Sequence, residues 1–233
     1  MKNICDIDLQ EFFKCEDFKK CVPFNCEMTF QFYLAWFLKE NLNNAKVEFE
    51  KNVYQKSYTL EDEKVDKRRC DLYVEYIDKN NNKKKALLEL KYVIEGNDQN
   101  NEKDKTSCGA RKSFMKDLYR LKNDPFMKNY DEKYCIFVTN KSAVFKKPAS
   151  IQNSKKSQLI NFYELFSVDN IIDIQDGICV LNQNNKWWYP TNWEIPNNKK
   201  KNKFYPYALI VNVDKDPINE KYLTNNEITI SEF

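Results

Sequence analysis

The stretch Ala86-Leu87-Leu88-Glu89-Leu90-Lys91-Tyr92-Val93 constrains this chain more than any other. It is apolar enough to form a buried strand, yet it contains two ionised side chains, and burying a charge is costly unless a counter-charge or a metal ion compensates it. Side chains alternate along a strand, so Glu89 and Lys91 share one face and Leu88 and Leu90 the other. Any fold that buries this run must supply partners for both charges.

A second apolar run, Cys70 to Ile77, precedes it, and Asp78-Lys79-Asn80-Asn81-Asn82 lies between the two. Turn residues between strand patterns predict a hairpin. A turn centred on Asn80 sets Asp71 opposite Glu89, and one centred a residue later sets it diagonally beside Glu89. Both registers align Leu72 and Val74 with Ala86, Leu88 or Leu90. A half-residue shift would move Asp71 to the Leu90 face and break the apolar surface, so the apolar match and the carboxylate match favour the same pairing.

The rest of the chain supplies an α/β frame. Glu27 to about Asn43 has apolar residues at Phe30, Tyr33, Leu34, Phe37 and Leu38, a helical spacing, and Lys46 to Tyr54 alternates as a strand. Gly96 to Cys108 is polar and predicts a mobile loop. Ala110 to Lys122 predicts a helix with Phe114, Leu118 and Leu121 on one side, and Tyr134 to Thr139 a buried strand. Gln158 to Phe166 predicts a short helix. Ile178 to Leu181 and Tyr205 to Val213 predict strands, the latter with Pro206 near its start. Helix, three strands, helix, strand (αβββαβ) describes a mixed central sheet flanked by helices, without internal repeats.

At 233 residues the expectation is one domain, residues 1–233, with a core at about 26–140 and a C-terminal sheet extension at about 141–233. The absence of any membrane-length apolar run or secretory-type start predicts a soluble, cytoplasmic protein with no membrane partner. Eight cysteines scattered through so long a chain predict free thiols. Cys5, Cys15, Cys21 and Cys26 lack the paired spacing of common zinc sites. There is no histidine, which excludes Ser-His-Asp and Cys-His nucleophilic schemes and histidine-ligated metal nucleases. Any catalysis then rests on carboxylates, lysine and a bound cation. A net charge of +3 argues only weakly for a nucleic-acid partner; Lys83–Lys85 and Lys199–Lys203 are local basic runs whose plainer reading is solvated loops.

Acid-x-Lys triplets alone carry little weight in so charged a chain, and Asp17-Phe18-Lys19, Asp62-Glu63-Lys64 and Asp131-Glu132-Lys133 arise without an apolar setting. Two carboxylates brought together by the hairpin repel unless a proton or cation sits between them. Oxygen ligands of this kind suit Mg²⁺ or Mn²⁺. Asp71, Glu89 and the Leu90 carbonyl are the expected ligands of an ion that polarises a phosphate and activates water. Lys91 is expected to orient that water or to neutralise transition-state charge. The competing expectation is an internal salt bridge from Lys91 to Asp71 or Glu89.

With these residues in place the chain resembles the PD-(D/E)XK (restriction-endonuclease-like) superfamily, in which an Asp strand precedes a (D/E)xK strand between helices. Cys26-Glu27-Met28-Thr29-Phe30-Gln31-Phe32-Tyr33-Leu34-Ala35-Trp36 resembles the first-helix motif of a group of uncharacterised bacterial proteins in that superfamily. Arg69-Cys70-Asp71-Leu72 and Leu88-Glu89-Leu90-Lys91-Tyr92 resemble their two catalytic strands, and Gly109-Ala110 with Lys116-Asp117-Leu118-Tyr119-Arg120-Leu121 their next helix. Ile136-Phe137-Val138-Thr139-Asn140 resembles the strand after it. The likeness spans Cys26 to Asn140. It departs at Arg111-Lys112-Ser113, where an acid and an Arg-Tyr pair are expected.

The resemblance implies a Mg²⁺- or Mn²⁺-dependent DNA endonuclease, of restriction or defence type, that leaves a 5′-phosphate. Its catalytic residues would be Glu27, Asp71, Glu89 and Lys91, with Glu27 as a helix-borne acid facing the metal site; the plainer reading of Glu27 is an acid favoured at a helix N-terminus. Glu50 is a lesser candidate. Asp117 and Arg120, three apart on one helix, are expected to pair and brace the sheet. The basic runs and Trp187-Trp188-Tyr189 are candidates for DNA contact, the tryptophans having core packing as their commoner use. A homodimer is left open. The rivals are a non-catalytic nucleic-acid or protein binding module on the same fold, and a nuclease acting on RNA or branched DNA.

Overall fold

The two runs pair as an antiparallel hairpin, and its tight end follows from the turn sequence. Asp78 Oδ1 accepts hydrogen bonds from the Asn80 and Asn82 amides at 2.9 and 2.8 Å, and Asn81 adopts the left-handed backbone (φ 64°) that asparagine tolerates. The ladder runs from Ile77↔Lys83 to Leu72↔Leu88, the register of a turn centred on Asn80.

The computed structural model of the chain describes residues 7–16, 26–53, 69–94, 107–141, 144, 157–166, 171–175, 178–181, 187–191 and 206–223. In order the elements are α1 (Leu9–Lys14), α2 (Glu27–Asn41), β1 (Lys46–Asn52), β2 (Arg69–Ile77), β3 (Lys83–Val93) and α3 (Ser107–Asn123). A 3-10 turn (Pro125–Asn129), β4 (Glu132–Thr139), α4 (Ser157–Phe166), β5 (Ile171–Gln175), β6 (Ile178–Leu181), β7 (Trp188–Pro190) and β8 (Tyr207–Asn212) follow. Six strands form one mixed sheet in the order β1-β2-β3-β4-β8-β7, while β5 and β6 pair separately. β3 and β4 are parallel, as a crossover through α3 requires, and the other neighbours in the sheet are antiparallel.

Strand alternation sends one set of side chains to each face. Leu72, Val74, Leu88, Leu90 and Ile136 pack against Phe12, Phe13, Phe30 and Leu34 of α1 and α2. Leu87, Cys135, Phe137 and Leu209 pack against Phe114 and Leu118 of α3 and Phe162 and Phe166 of α4. Each of the large apolar side chains among these contributes about 1.5–3 kcal/mol by leaving water, so β3, like β4 covered on both faces, is a firmly held base for the charges it carries.

The expected α/β architecture and the αβββαβ element order from Glu27 to Thr139 are present. Among the helices and strands, α1, β5 and β7 were not anticipated, and neither was the 3-10 turn. Trp188 of β7 is buried and its indole N–H donates to the Phe166 carbonyl at 2.6 Å, which makes it a core residue. The loop expected over Gly96 to Cys108 lies almost wholly outside the described residues, and Ser107 and Cys108 open α3. Lys199–Lys203 also lie outside them. Cys70 and Cys135 are buried free thiols. Among the described residues no helix is long and apolar enough to cross a membrane.

Candidate functional site

The hairpin ladder stops where the candidate residues begin. Leu72↔Leu88 is its last pair, and continuing the count puts Asp71 opposite Glu89. Beyond that point side chains take over from the backbone. Asp71 Oδ2 accepts from the Leu90 amide at 2.6 Å, and the Cys70 thiol donates to the carbonyls of Leu72 and Leu88, each at 3.3 Å. Cys70 packs in the α3-side core although Leu72 faces α2, so the alternation of β2 breaks at Asp71.

Helix α2 holds this fork from its first two turns. Glu27 Oε2 accepts from the Tyr92 amide at 2.9 Å, and the Gln31 side-chain amide donates to the Asp71 carbonyl. One helix thus binds both strands through residues four apart, on the same helical face. Glu27 stands in the first turn, as the macrodipole favours, and makes this tertiary contact as well. Gln31 is a functional candidate that sequence reasoning passed over; its signal was a polar residue between Phe30 and Leu34 on the buried side of α2, where it is only 7% exposed.

On the other face α3 brings charge to β3. The Arg120 guanidinium pairs with Glu89 Oε1 and with Asp117 Oδ1, the latter at 3.2 Å. Asp117 Oδ2 stands 3.1 Å from Lys91 Nζ, and the Lys91 ammonium also donates to the Leu90 carbonyl at 2.8 Å. Glu89 is 4% exposed, and the Lys91, Asp117 and Arg120 side chains are 16%, 13% and 15% exposed. The expected Asp117–Arg120 pair is present and is one link in a longer chain: Glu89, Arg120, Asp117, Lys91. The salt bridge expected from Lys91 to Asp71 or Glu89 is replaced by one to Asp117.

The electrostatics mark an excess of buried negative charge. Asp71 is pushed up to about 6, chiefly by burial; Lys91 and the Leu90 amide pull it down, and the charges of Glu27 and Asp117 add to the rise. Glu89 lies well above the usual carboxylate range, through burial first and then Asp117, against the pull of Arg120. Burial alone would lower Lys91, but Asp117, Asp71, Glu27 and Glu89 together raise it, so it stays an ammonium ion. Two acids with raised pKa values thus stand beside a fixed cation.

The donor chemistry suits a hard divalent cation. Glu27, Asp71 and Glu89 each commit one carboxylate oxygen: Oε2 to Tyr92, Oδ2 to Leu90 and Oε1 to Arg120. The second oxygen of each accepts no hydrogen bond from the described residues, and carboxylate oxygens are what Mg²⁺ and Mn²⁺ take. Among the described residues no three acidic or cysteine side chains already converge on one point. Glu89 lies on the α3 face of β3 and pairs there with Arg120, whereas Asp71 bonds the Leu90 amide. The Leu90 carbonyl, expected as a third ligand, accepts from Lys91.

The other candidates are less closely engaged. The β1–β2 register, with Phe49↔Leu72 and Lys51↔Cys70, places Glu50 across from Asp71, but Glu50 is exposed, and its left-handed backbone (φ 48°), costly for a residue with a Cβ, interrupts the pairing there. Arg111 is buried with its guanidinium carbon 4.9 Å from the centre of the Tyr163 ring, a packing contact. Lys83 and Lys84 pair with Glu75 and Asp131 at the opposite end of β3 from Lys91.

No protein-family model matches the chain, and neither a curated protein nor a solved structure matches it. A functional reading therefore rests on the site itself.

Proposed function

We propose that the chain is a metal-dependent nuclease of the PD-(D/E)XK type, hydrolysing phosphodiester bonds of DNA. The observation that supports this reading most is the open end of the β2–β3 hairpin, where Asp71, Glu89 and Lys91 leave the ladder together and each acid keeps one oxygen uncommitted. Asp71 and Glu89 would hold Mg²⁺ or Mn²⁺, with Glu27 at the rim. When bound, the ion would supply Lewis-acid polarisation of the phosphate and a water of lowered pKa. Lys91 contributes a permanent positive charge, fixed by Asp117 and the Leu90 carbonyl, that stabilises negative charge developing on phosphate oxygens. Cytoplasmic placement, DNA as partner and a 5′-phosphate product belong to the same proposal.

One observation favours a second reading. Glu89, Arg120, Asp117 and Lys91 form an unbroken ion-pair chain, as a structural brace in a non-catalytic binding module would. Incubation of the protein with supercoiled plasmid DNA and Mg²⁺ separates the two. The nuclease reading expects relaxed or linear DNA from the wild type, none in EDTA, and a loss on the order of 10²-fold or more in Lys91→Ala with circular dichroism unchanged. DNA retained without cleavage supports the binding module instead. Parallel assays on single strands, junctions and RNA assign the substrate.

A further inference from the structure

Helix α3 meets the candidate site through one acidic residue that touches both of its cations. Asp117 offers Oδ1 to Arg120 at 3.2 Å and Oδ2 to Lys91 at 3.1 Å. The Lys91 contact is ionic in kind, for Asp117 Oδ2 is buried and outside hydrogen-bonding alignment, while the aligned bond of the ammonium goes to Leu90. Lys91 is thus held from two sides, by a dipole on its own strand and by a full charge on the neighbouring helix. A lysine side chain has about 2 kcal/mol of rotamer freedom to lose on being fixed. The Leu90 carbonyl is a local contact that several rotamers could make; the Asp117 charge is what selects among them. Phe114 and Leu118 pack in the sheet core on either side of Asp117 and anchor the helix that carries it.

We infer that Asp117 is a positioning residue for Lys91. The ion pair sets where the ammonium charge sits, and Arg120 keeps the Asp117 carboxylate turned toward the strand. This rests on the nuclease reading for its consequence in catalysis, but the positioning itself can be tested without any cleavage. It assigns Asp117 no metal contact, which distinguishes it from Asp71 and Glu89.

Two measurements on the full chain decide the matter. In the first, the wild type and Asp117→Asn are treated with a water-soluble amine-acetylating reagent, and the modification rate of Lys91 is read by peptide mass spectrometry. Lys133, buried near the start of β4 and paired with Asp214 at 2.7 Å, is the internal control. Lys91 is expected to react about tenfold faster in Asp117→Asn, as expected when about 1.4 kcal/mol of restraint is lost, with Lys133 unchanged. An unchanged Lys91 rate overturns the inference. So does an equal rise at both lysines, which would mean general loosening.

In the second, kcat and KM on DNA are compared with Mn²⁺ affinity from calorimetry. Asp117→Asn is expected to lower kcat on the order of 10²-fold, the effect of misplacing a reacting group by about 1 Å, with KM and Mn²⁺ affinity kept. Loss of Mn²⁺ binding in step with kcat would make Asp117 a ligand and overturn the inference. Should Asp117→Asn fail to fold, Asp117→Glu keeps the charge one methylene further out. Its kcat is expected to fall by a smaller factor, and a kcat equal to the wild type contradicts the proposal. A wild type that cleaves nothing sinks the nuclease reading alone, since the Lys91 modification rate still decides the positioning.

Discussion

Arg120 and Glu89 form an ion pair that is largely removed from solvent and joins α3 to β3, a strand covered on both faces of the sheet. Truncating one partner of such a pair strands the other charge in a low-dielectric interior. Arg120→Met is therefore expected to lower unfolding free energy by about 3–5 kcal/mol, measured by urea titration. Arg120→Met combined with Glu89→Leu removes both charges and is expected to recover most of that loss. A double variant as unstable as the single one would show that shape, not charge, sets the cost.

Gln31 ties α2 to the Asp71 carbonyl at the open end of the hairpin. Gln31→Leu leaves that carbonyl without its donor, at a cost of about 1–3 kcal/mol. The effect should be local. Amide hydrogen exchange is expected to accelerate at Leu90, whose N–H is bonded to Asp71 Oδ2, while amides in the paired part of the ladder near Ile77 and Lys83 keep their protection. Equal exchange at Leu90 in both proteins would remove Gln31 from the fork.

Burial pushes Asp71 up to about 6 in the fold, from about 3.9 in an unfolded chain. The folded state then binds more protons than the unfolded state between about pH 4 and pH 6. Stability from this group is fully present below about pH 4 and declines as pH rises through 6. Without divalent cations, the wild type is expected to lose about 2–3 kcal/mol more than Asp71→Asn over that window, because asparagine does not titrate. Identical slopes for the two proteins would contradict the burial of this carboxylate.

The sequence and the structure agree where local pattern and tertiary packing make the same demand. The pairing of the two runs was legible down to two registers because other slips would have turned Leu72, Val74, Ala86 and Leu88 off one common face, and the turn built on Asp78 and Asn81 selects the one centred on Asn80. Asp117–Arg120 was legible because residues three apart share a helix face. Arg120–Glu89 and Lys91–Asp117 were not, since they depend on how α3 is rotated over β3, which no periodicity encodes. Elements as short as α1 and β7 give too few residues to establish a period; α1 shows its start only in the structure, where the Asp8 carboxylate accepts from the Gln10 and Glu11 amides. The Trp187-Trp188-Tyr189 group shows the limit of composition: aromatic residues suit both a core and a base-stacking surface, and only burial assigns Trp188 to the core.

Whether Asp71 and Glu89 share a divalent cation is decided by diffraction from crystals soaked in Mn²⁺ and recorded at the manganese absorption edge. One anomalous peak bonded to carboxylate oxygens of both residues is expected, with Glu89 drawn off Arg120, and no peak in Asp71→Asn crystals treated alike. Crystals that bind manganese elsewhere, or that keep Glu89 on Arg120 with no peak beside Asp71, would contradict it.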